Sequence, residues 1–143
     1  MSNDPRGILY YGIQFGAEDP ITTRGDSYHD SNDKWEGEYR PRQPSNGDNY
    51  HTPEWDAWRE QYREWKKSPQ NVKLNWSGTK SYHRYYVHAA GLEMKVEWDE
   101  QKEVPAEMMM RNFPEHDEWI RKFSERFNLP YSQPKWYLAS LYF

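Results

Sequence analysis

The five histidines are the residues of this chain most suited to acid–base, metal or phosphoester chemistry. His29-Asp30-Ser31 matches half of the signature of two-histidine phosphoesterases, whose mechanism needs two such tripeptides, and the sequence has no second one. The others, at positions 51, 83, 88 and 116, lack the helical spacing and the carboxylate clusters that metal sites use. We therefore predict no metal, no cofactor and no catalytic residue.

Composition and spacing exclude further kinds of site. The chain contains no cysteine, which removes thiol nucleophiles, disulfides and cysteine-based zinc sites. Asp30, Asn32 and Asp33 resemble the start of a calcium loop, but the turn glycine and the closing glutamate are misplaced. No glycine-rich phosphate loop or nucleophile elbow is present. These absences favour a protein that binds over one that catalyses.

Aromatic and basic side chains supply the candidate surface. Aromatic residues make up 17% of the chain, including eight Trp and twelve Tyr, and such rings serve either as core or as binding anchors. Rings and cations alternate along a predicted strand, so they share one face of a sheet. We predict the following as binding residues, six on an open sheet face and the last two in a long loop: Tyr10, Tyr82, Arg84, Tyr86, His88, Lys95, Trp35 and Tyr39.

Two elements of the first half can be placed from local signals. Residues 8–15 are rich in β-branched and aromatic side chains and predict a strand. Thr52-Pro53-Glu54 combines a hydroxyl N-cap, a first-turn proline and an acid, which predicts a helix reaching residue 67. Spacings of three and four on this helix align four rings that we interpret as core: Trp55, Trp58, Tyr62 and Trp65.

A β-hairpin is predicted over residues 82–98, with Ala90-Gly91 as its two-residue turn, because glycine supplies the positive φ of tight turns. This register pairs Arg84 with Glu97 and His88 with Glu93 on the open face. The carboxylate of Glu93 should raise the pKa of His88 unless burial opposes it.

The complete order is strand, helix, strand, strand, helix, strand, with a second helix from Pro114 and a last strand over residues 135–143. It predicts an α+β fold of the ferredoxin-like split βαβ type: a four-stranded antiparallel sheet with two helices on one face. Residues 1–143 are read as one domain in which residues 17–51 form a long loop or partly disordered insertion. Residues 73–76 are kept as an alternative extra strand.

Charge and hydropathy limit the partners and the compartment. The net charge of -4 argues against broad binding to phosphate backbones, although residues 59–88 are locally basic. No apolar run approaches the length of a membrane span, and residues 1–11 lack the features of a signal peptide. We expect a cytoplasmic protein without membrane contact.

Several segments of the chain resemble small uncharacterised accessory proteins of tailed bacteriophages. The resemblance lies in Leu9-Tyr10-Tyr11-Gly12-Ile13, Trp119-Ile120-Arg121-Lys122-Phe123, Leu129-Pro130-Tyr131 and Pro134-Lys135-Trp136-Tyr137-Leu138-Ala139-Ser140. It implies expression inside a bacterial host, where many such proteins bind host or defence components stoichiometrically. It assigns no active-site residue.

Three functions follow, in order of preference. The first is a non-catalytic protein that blocks or sequesters a host or anti-phage defence component by binding a protein partner. The second is a nucleic-acid or nucleotide binding module that stacks bases on the open aromatic face. The third is a small phosphodiesterase-type enzyme. A homodimer is compatible with each of them.

Overall fold

The computed structural model describes residues 7–16, 20, 28–45, 51–78, 83–97 and 100–140. Its elements in chain order are β1 (Gly7–Gln14), α1 (Tyr28–Tyr39), α2 (Pro53–Lys67), β2 (Val72–Gly78), β3 (His83–Ala89), a 3₁₀ turn (Ala90–Leu92), β4 (Met94–Val96), α3 (Ala106–Met110), α4 (Pro114–Arg126) and β5 (Lys135–Ser140). The predicted α+β class is confirmed. None of the helices in these ranges is long and apolar enough to cross a bilayer.

β1 is the central strand of a five-stranded antiparallel sheet. It pairs with β5 on one side over residues 7–12. On its other side it pairs with β4 at residues 7–9 and with β3 at residues 12–14. β3 also pairs with β2 along its whole length. Residues 7–9 and Gly12 of β1 therefore have a neighbouring strand on both sides, whereas Ile13 and Gln14 pair only with β3.

β3 and β4 do not form the predicted hairpin. Both run antiparallel to β1, so the chain continues along β1 through the 3₁₀ turn instead of reversing. Between the pairs Gly12↔His88 and Leu9↔Met94, two residues of β1 face five residues, 89–93, on the opposite strand. The turn is therefore a bulge of three extra residues.

Gly91 was predicted to be the glycine of a tight turn, but the structure needs a glycine at this position for a different reason. A Cβ atom there would lie 2.8 Å from the carbonyl oxygen of Lys67, so the glycine lets the end of α2 pass against the bulge. The hairpin partner of β3 is β2, which contains the alternative strand at residues 73–76. With this fifth strand, the ferredoxin-like four-stranded arrangement is not confirmed.

Helix α1 lies inside the segment that we expected to be a loop. Residues 28–39 are helical, and Trp35 is buried to 1% exposure against Phe123 of α4 at 5.0 Å between ring centroids. The prediction of a loop from 17 to 51 is corrected for these residues. Trp35 and Tyr39 supply nearly all of the contact between α1 and the core. The apolar stripe of this helix is therefore weak in the sequence.

Alternate residues of the strands build two cores. The helix-side face carries Tyr11, Ile13, Leu74 and Val87 and packs under α1 and α4. The opposite face, here called the tyrosine face, carries Ile8, Tyr10, Tyr86, His88 and Tyr137. Cα atoms of β2 and β5 approach within 8 Å although β3 and β1 lie between them. A flat sheet would separate them by roughly 14 Å, so this sheet is strongly curled.

Helix α2 begins as predicted, with the Thr52 hydroxyl accepting a hydrogen bond from the backbone N–H of Trp55. Its four rings contact one another in series along the helix: Trp55 meets Trp58 edge-on, and Trp58, Tyr62 and Trp65 are stacked. Trp55 and Trp65 are buried, whereas Trp58 and Tyr62 are only half-buried. Arg40 covers the Tyr62 ring, so this stripe packs partly against the chain that leaves α1.

Candidate interaction surface

Three of the predicted binding residues lie in the tyrosine face and are buried. Tyr10 stacks between Tyr86, at 4.0 Å between ring centroids, and Tyr137, at 5.3 Å. His88 lies against both Tyr10 and Tyr86. The expectation that this face is open to solvent is wrong for these residues, because their rings form a small core on one another. Their faces are unavailable for stacking on a base.

His88 is 1% exposed and shows how strongly this core excludes water. Its Nδ1 lies 3.3 Å from Oε2 of Glu93, the neighbour that we predicted. Burial, with smaller contributions from Lys73 and Lys95, nevertheless lowers the pKa of His88 to about 3. Burial therefore prevails over the neighbouring carboxylate, and the imidazole is neutral at physiological pH.

Buried polar atoms accompany these rings. In the described part of the chain neither ring nitrogen of His88 makes a hydrogen bond, and the same is true of the Tyr10 hydroxyl. Burial raises the pKa of both Tyr10 and Tyr86, so their hydroxyls stay protonated. The rings of the cluster thus carry neutral polar groups.

The remaining predicted residues do not converge on one place. Arg84 and Lys95 are exposed, and Lys95 contacts Glu93 at 3.3 Å. Trp35 is buried in the helix-side core, and Tyr39 lies half-buried beside it. Tyr82 falls outside the described residues.

Two open depressions of about 410 Å³ each mix charges of both signs. One lies at the end of α1 and is lined by Asp33 and Arg40 among others. The other joins the end of α2 to the start of α4 and contains Arg111, Glu115 and His116, whose pKa is lowered by burial. Neither favours a ligand of one charge. Within the described ranges no cluster of three or more His, Asp or Glu side chains could hold a metal ion.

An apolar row crosses the helix-side face and is left uncovered by the helices. Leu9 of β1 pairs with Leu138 of β5 on one side and with Met94 of β4 on the other, so the three side chains stand level on adjacent strands. Leu138 is 81% exposed, and Leu9 and Met94 are partly exposed. We call these three residues the apolar row.

The helical cover ends just before this row. Phe113 packs on Tyr11 with 5.3 Å between the two ring centroids. Tyr11 in turn pairs with Trp136 of β5. The Tyr11 hydroxyl donates a hydrogen bond to Asp117 of α4 at 2.5 Å. Two residues further along both strands, Leu9 is partly exposed and Leu138 is 81% exposed. Exposure therefore begins where the contacts of α4 stop.

Sequence reasoning missed the apolar row because it depends on register between distant strands. The alternation of side chains along a strand puts Leu9 on the same face as Tyr11 and Ile13, but this pattern does not show where a helix ceases to cover that face. The usable signal was the alternation Trp136, Leu138, Ser140 in the last strand, which puts Leu138 on one face with Trp136.

Comparison of this chain with protein families, curated proteins and solved structures finds no significant match, so the surface is interpreted from its own geometry.

Proposed function

We propose that this protein is a non-catalytic binding protein whose partner is another protein docked on the apolar row. The observation that carries this proposal is the 81% exposure of Leu138 at the end of a level row of three apolar side chains. Contiguous apolar surface of this kind is characteristic of interaction sites, because leaving it in water is unfavourable.

A protein partner fits these observations better than a nucleic acid. Base stacking needs exposed rings, whereas Tyr10 and Tyr86 are buried against each other. The net charge of -4 also opposes binding to phosphate backbones. The alternative of a nucleic-acid module therefore loses the surface on which it was based.

The chain that follows β4, the strand at one end of the row, is acidic. Glu97, Glu100, Glu103 and Glu107 are exposed, with Lys102 as the one basic residue among the described positions 97–107. A partner with an apolar patch and basic residues beside it would be steered toward the row and held in orientation. We propose a bacterial target of this kind, a host or anti-phage defence component, which the protein blocks or sequesters in the cytoplasm.

The test is capture of partners from a bacterial lysate by the immobilised protein and by two variants. Leu138→Glu places a charge at the exposed end of the row and should reduce the captured amount about tenfold or more, as the loss of an interface anchor does. Met110→Glu is the matched control, because Met110 is 84% exposed but lies on α3. It should capture as much as the unaltered protein.

Capture that is equal in both variants would refute the role of the apolar row. Titration of labelled single-stranded RNA and DNA at low salt tests the nucleic-acid alternative separately. Binding that survives Leu138→Glu and weakens steeply with salt would favour that alternative.

A further inference from the structure

Two of the outer strands of the sheet, β2 and β5, differ in what covers their free backbone. At β2 the side chain of Asn32 donates from Nδ2 to the carbonyl oxygen of Leu74 and accepts from its N–H, both at 2.8 Å. This amide occupies the edge as a neighbouring strand would. The outer edge of β5 has no strand or side-chain partner among the residues that the structure describes.

The curl of the sheet brings β2 close to β5, but in the described residues β2 pairs only with β3 and forms no ladder with β5. Lys73 of β2 and Lys135 of β5 are level, because Lys73 pairs with His88, His88 with Gly12, and Gly12 with Lys135. β2 extends only one residue further in this direction, to Val72. In this register residues 137–140 lie beyond the last residue of β2, and Leu138 among them is 81% exposed.

β5 also lacks the features with which natural proteins protect an edge strand. Charged residues, prolines and bulges normally prevent such edges from pairing with another chain. Over Lys135–Ser140 the only charge is Lys135, at the start, and the pairing with β1 is regular. Leu138, near the middle of the strand, is an apolar residue that is 81% exposed.

We propose that two copies of this chain pair through β5, antiparallel and centred on Leu138. The strand complements itself in this register: Leu138 meets Leu138 of the second copy, and residues 137 and 136 meet residues 139 and 140. An interface of this kind is isologous and closes as a dimer. The two Lys135 side chains stand about 20 Å apart along the strands, so they do not repel each other appreciably.

The dimer doubles the apolar row. The two-fold axis of an antiparallel strand pair is perpendicular to the sheet, so both rows lie on the same face and meet at the two Leu138 side chains. Six apolar side chains then form one line roughly 24 Å long. That this doubled row is the docking surface for the partner rests on the proposed function, whereas the dimer itself does not.

The absence of cysteine allows a direct test with the full chain. In a dimer of the Leu138→Cys variant, the two introduced cysteines are the only thiols and lie on facing residues. Their Cα atoms would be about 4.5–5.5 Å apart, a distance that suits a disulfide. Ser140→Cys is the matched control on the same strand and face, because residue 140 and its copy would be roughly 14 Å apart. Mild oxidation should cross-link the first variant at least tenfold faster than the second.

Analytical ultracentrifugation of the unaltered protein completes the test. We expect a concentration-dependent dimer that Leu138→Glu converts to a monomer. A protein that stays monomeric at millimolar concentration, or equal cross-linking at positions 138 and 140, would overturn the proposal. These outcomes use purified protein only, so a missing dimer leaves the capture result standing, and a failed capture leaves the dimer standing.

Discussion

The β2 edge and the β5 edge of the sheet are the most instructive regions of this molecule to compare. The edge at β2 is covered by α1, whose Asn32 amide occupies the backbone of Leu74 and whose Glu36 lies 3.6 Å from Lys73. The edge at β5 carries an exposed leucine. The first edge is fixed in the monomer by contacts across 42 residues of sequence, whereas the second is available to another chain. The same sheet thus separates a stabilising edge from a binding edge.

The largest effect should come from removing the side chain that anchors α1. Trp35 is 1% exposed and donates from Nε1 to the carbonyl oxygen of Gln70 at 2.8 Å. Trp35→Ala should lower the free energy of unfolding by about 3–5 kcal/mol, because a large ring leaves a cavity in the core. Urea denaturation measures this. Trp58→Ala, at a half-buried site, is the matched control and should cost clearly less.

A smaller loss is expected when the amide that covers β2 is removed. Asn32→Ala leaves the N–H and the carbonyl oxygen of Leu74 without their partner and should cost about 2 kcal/mol. Exchange of the Leu74 amide proton should quicken. Asp33→Ala, at the exposed neighbouring position, makes the same helix-favouring change without touching the edge. Equal stabilities of the two variants would show that the edge does not need its cover.

The tyrosine face lies between these edges and should make stability depend on pH. Because the folded-state pKa of His88 is lowered to about 3, the unfolded chain binds the proton more readily. This contribution is complete above the unfolded pKa and is lost as pH falls toward the folded value. Between pH 6.5 and pH 5 the loss should be about 2 kcal/mol.

The control for this pH dependence is the second histidine with a lowered pKa. His88→Gln should flatten the stability profile between pH 5 and 6.5, whereas His116→Gln should flatten it less because His116 is only half-buried. Chemical denaturation at a series of pH values measures both. An unchanged slope in His88→Gln would mean that the imidazole is not buried in solution.

Local signals in the sequence predicted elements better than arrangements. The Thr52 cap, the proline at the start of α4 and the β-branched first strand each depend on neighbouring residues, and each was found where expected. Gly91 was misread because a glycine in a turn and a glycine under a crossing helix look alike in sequence. The distinguishing contact, with Lys67, is a tertiary one.

The candidate site depended even more on information absent from the sequence. The pairing of His88 with Glu93 was predicted from a two-residue turn, yet the structure achieves it through a three-residue bulge. The alternation of rings and cations in β3 suggested an open face. Arg84 is exposed, but Tyr86 is buried, because the curl of the sheet brings together rings from β1, β3 and β5. Curvature and helical cover decide exposure here.

The smallest expected effect is at the β5 edge and tests whether Leu138 is free in the monomer. Leu138→Ala should change the free energy of unfolding by less than about 0.5 kcal/mol at low protein concentration, as substitutions at exposed sites do. Leu74→Ala is the matched change on β2, where the side chain is fully buried, and should cost about 2–5 kcal/mol. At high concentration the unaltered protein should gain thermal stability from self-association, and Leu138→Ala should gain less. A loss above about 1 kcal/mol for Leu138→Ala in dilute solution would show that this side chain packs within the monomer, and the distinction between the two edges would then fail.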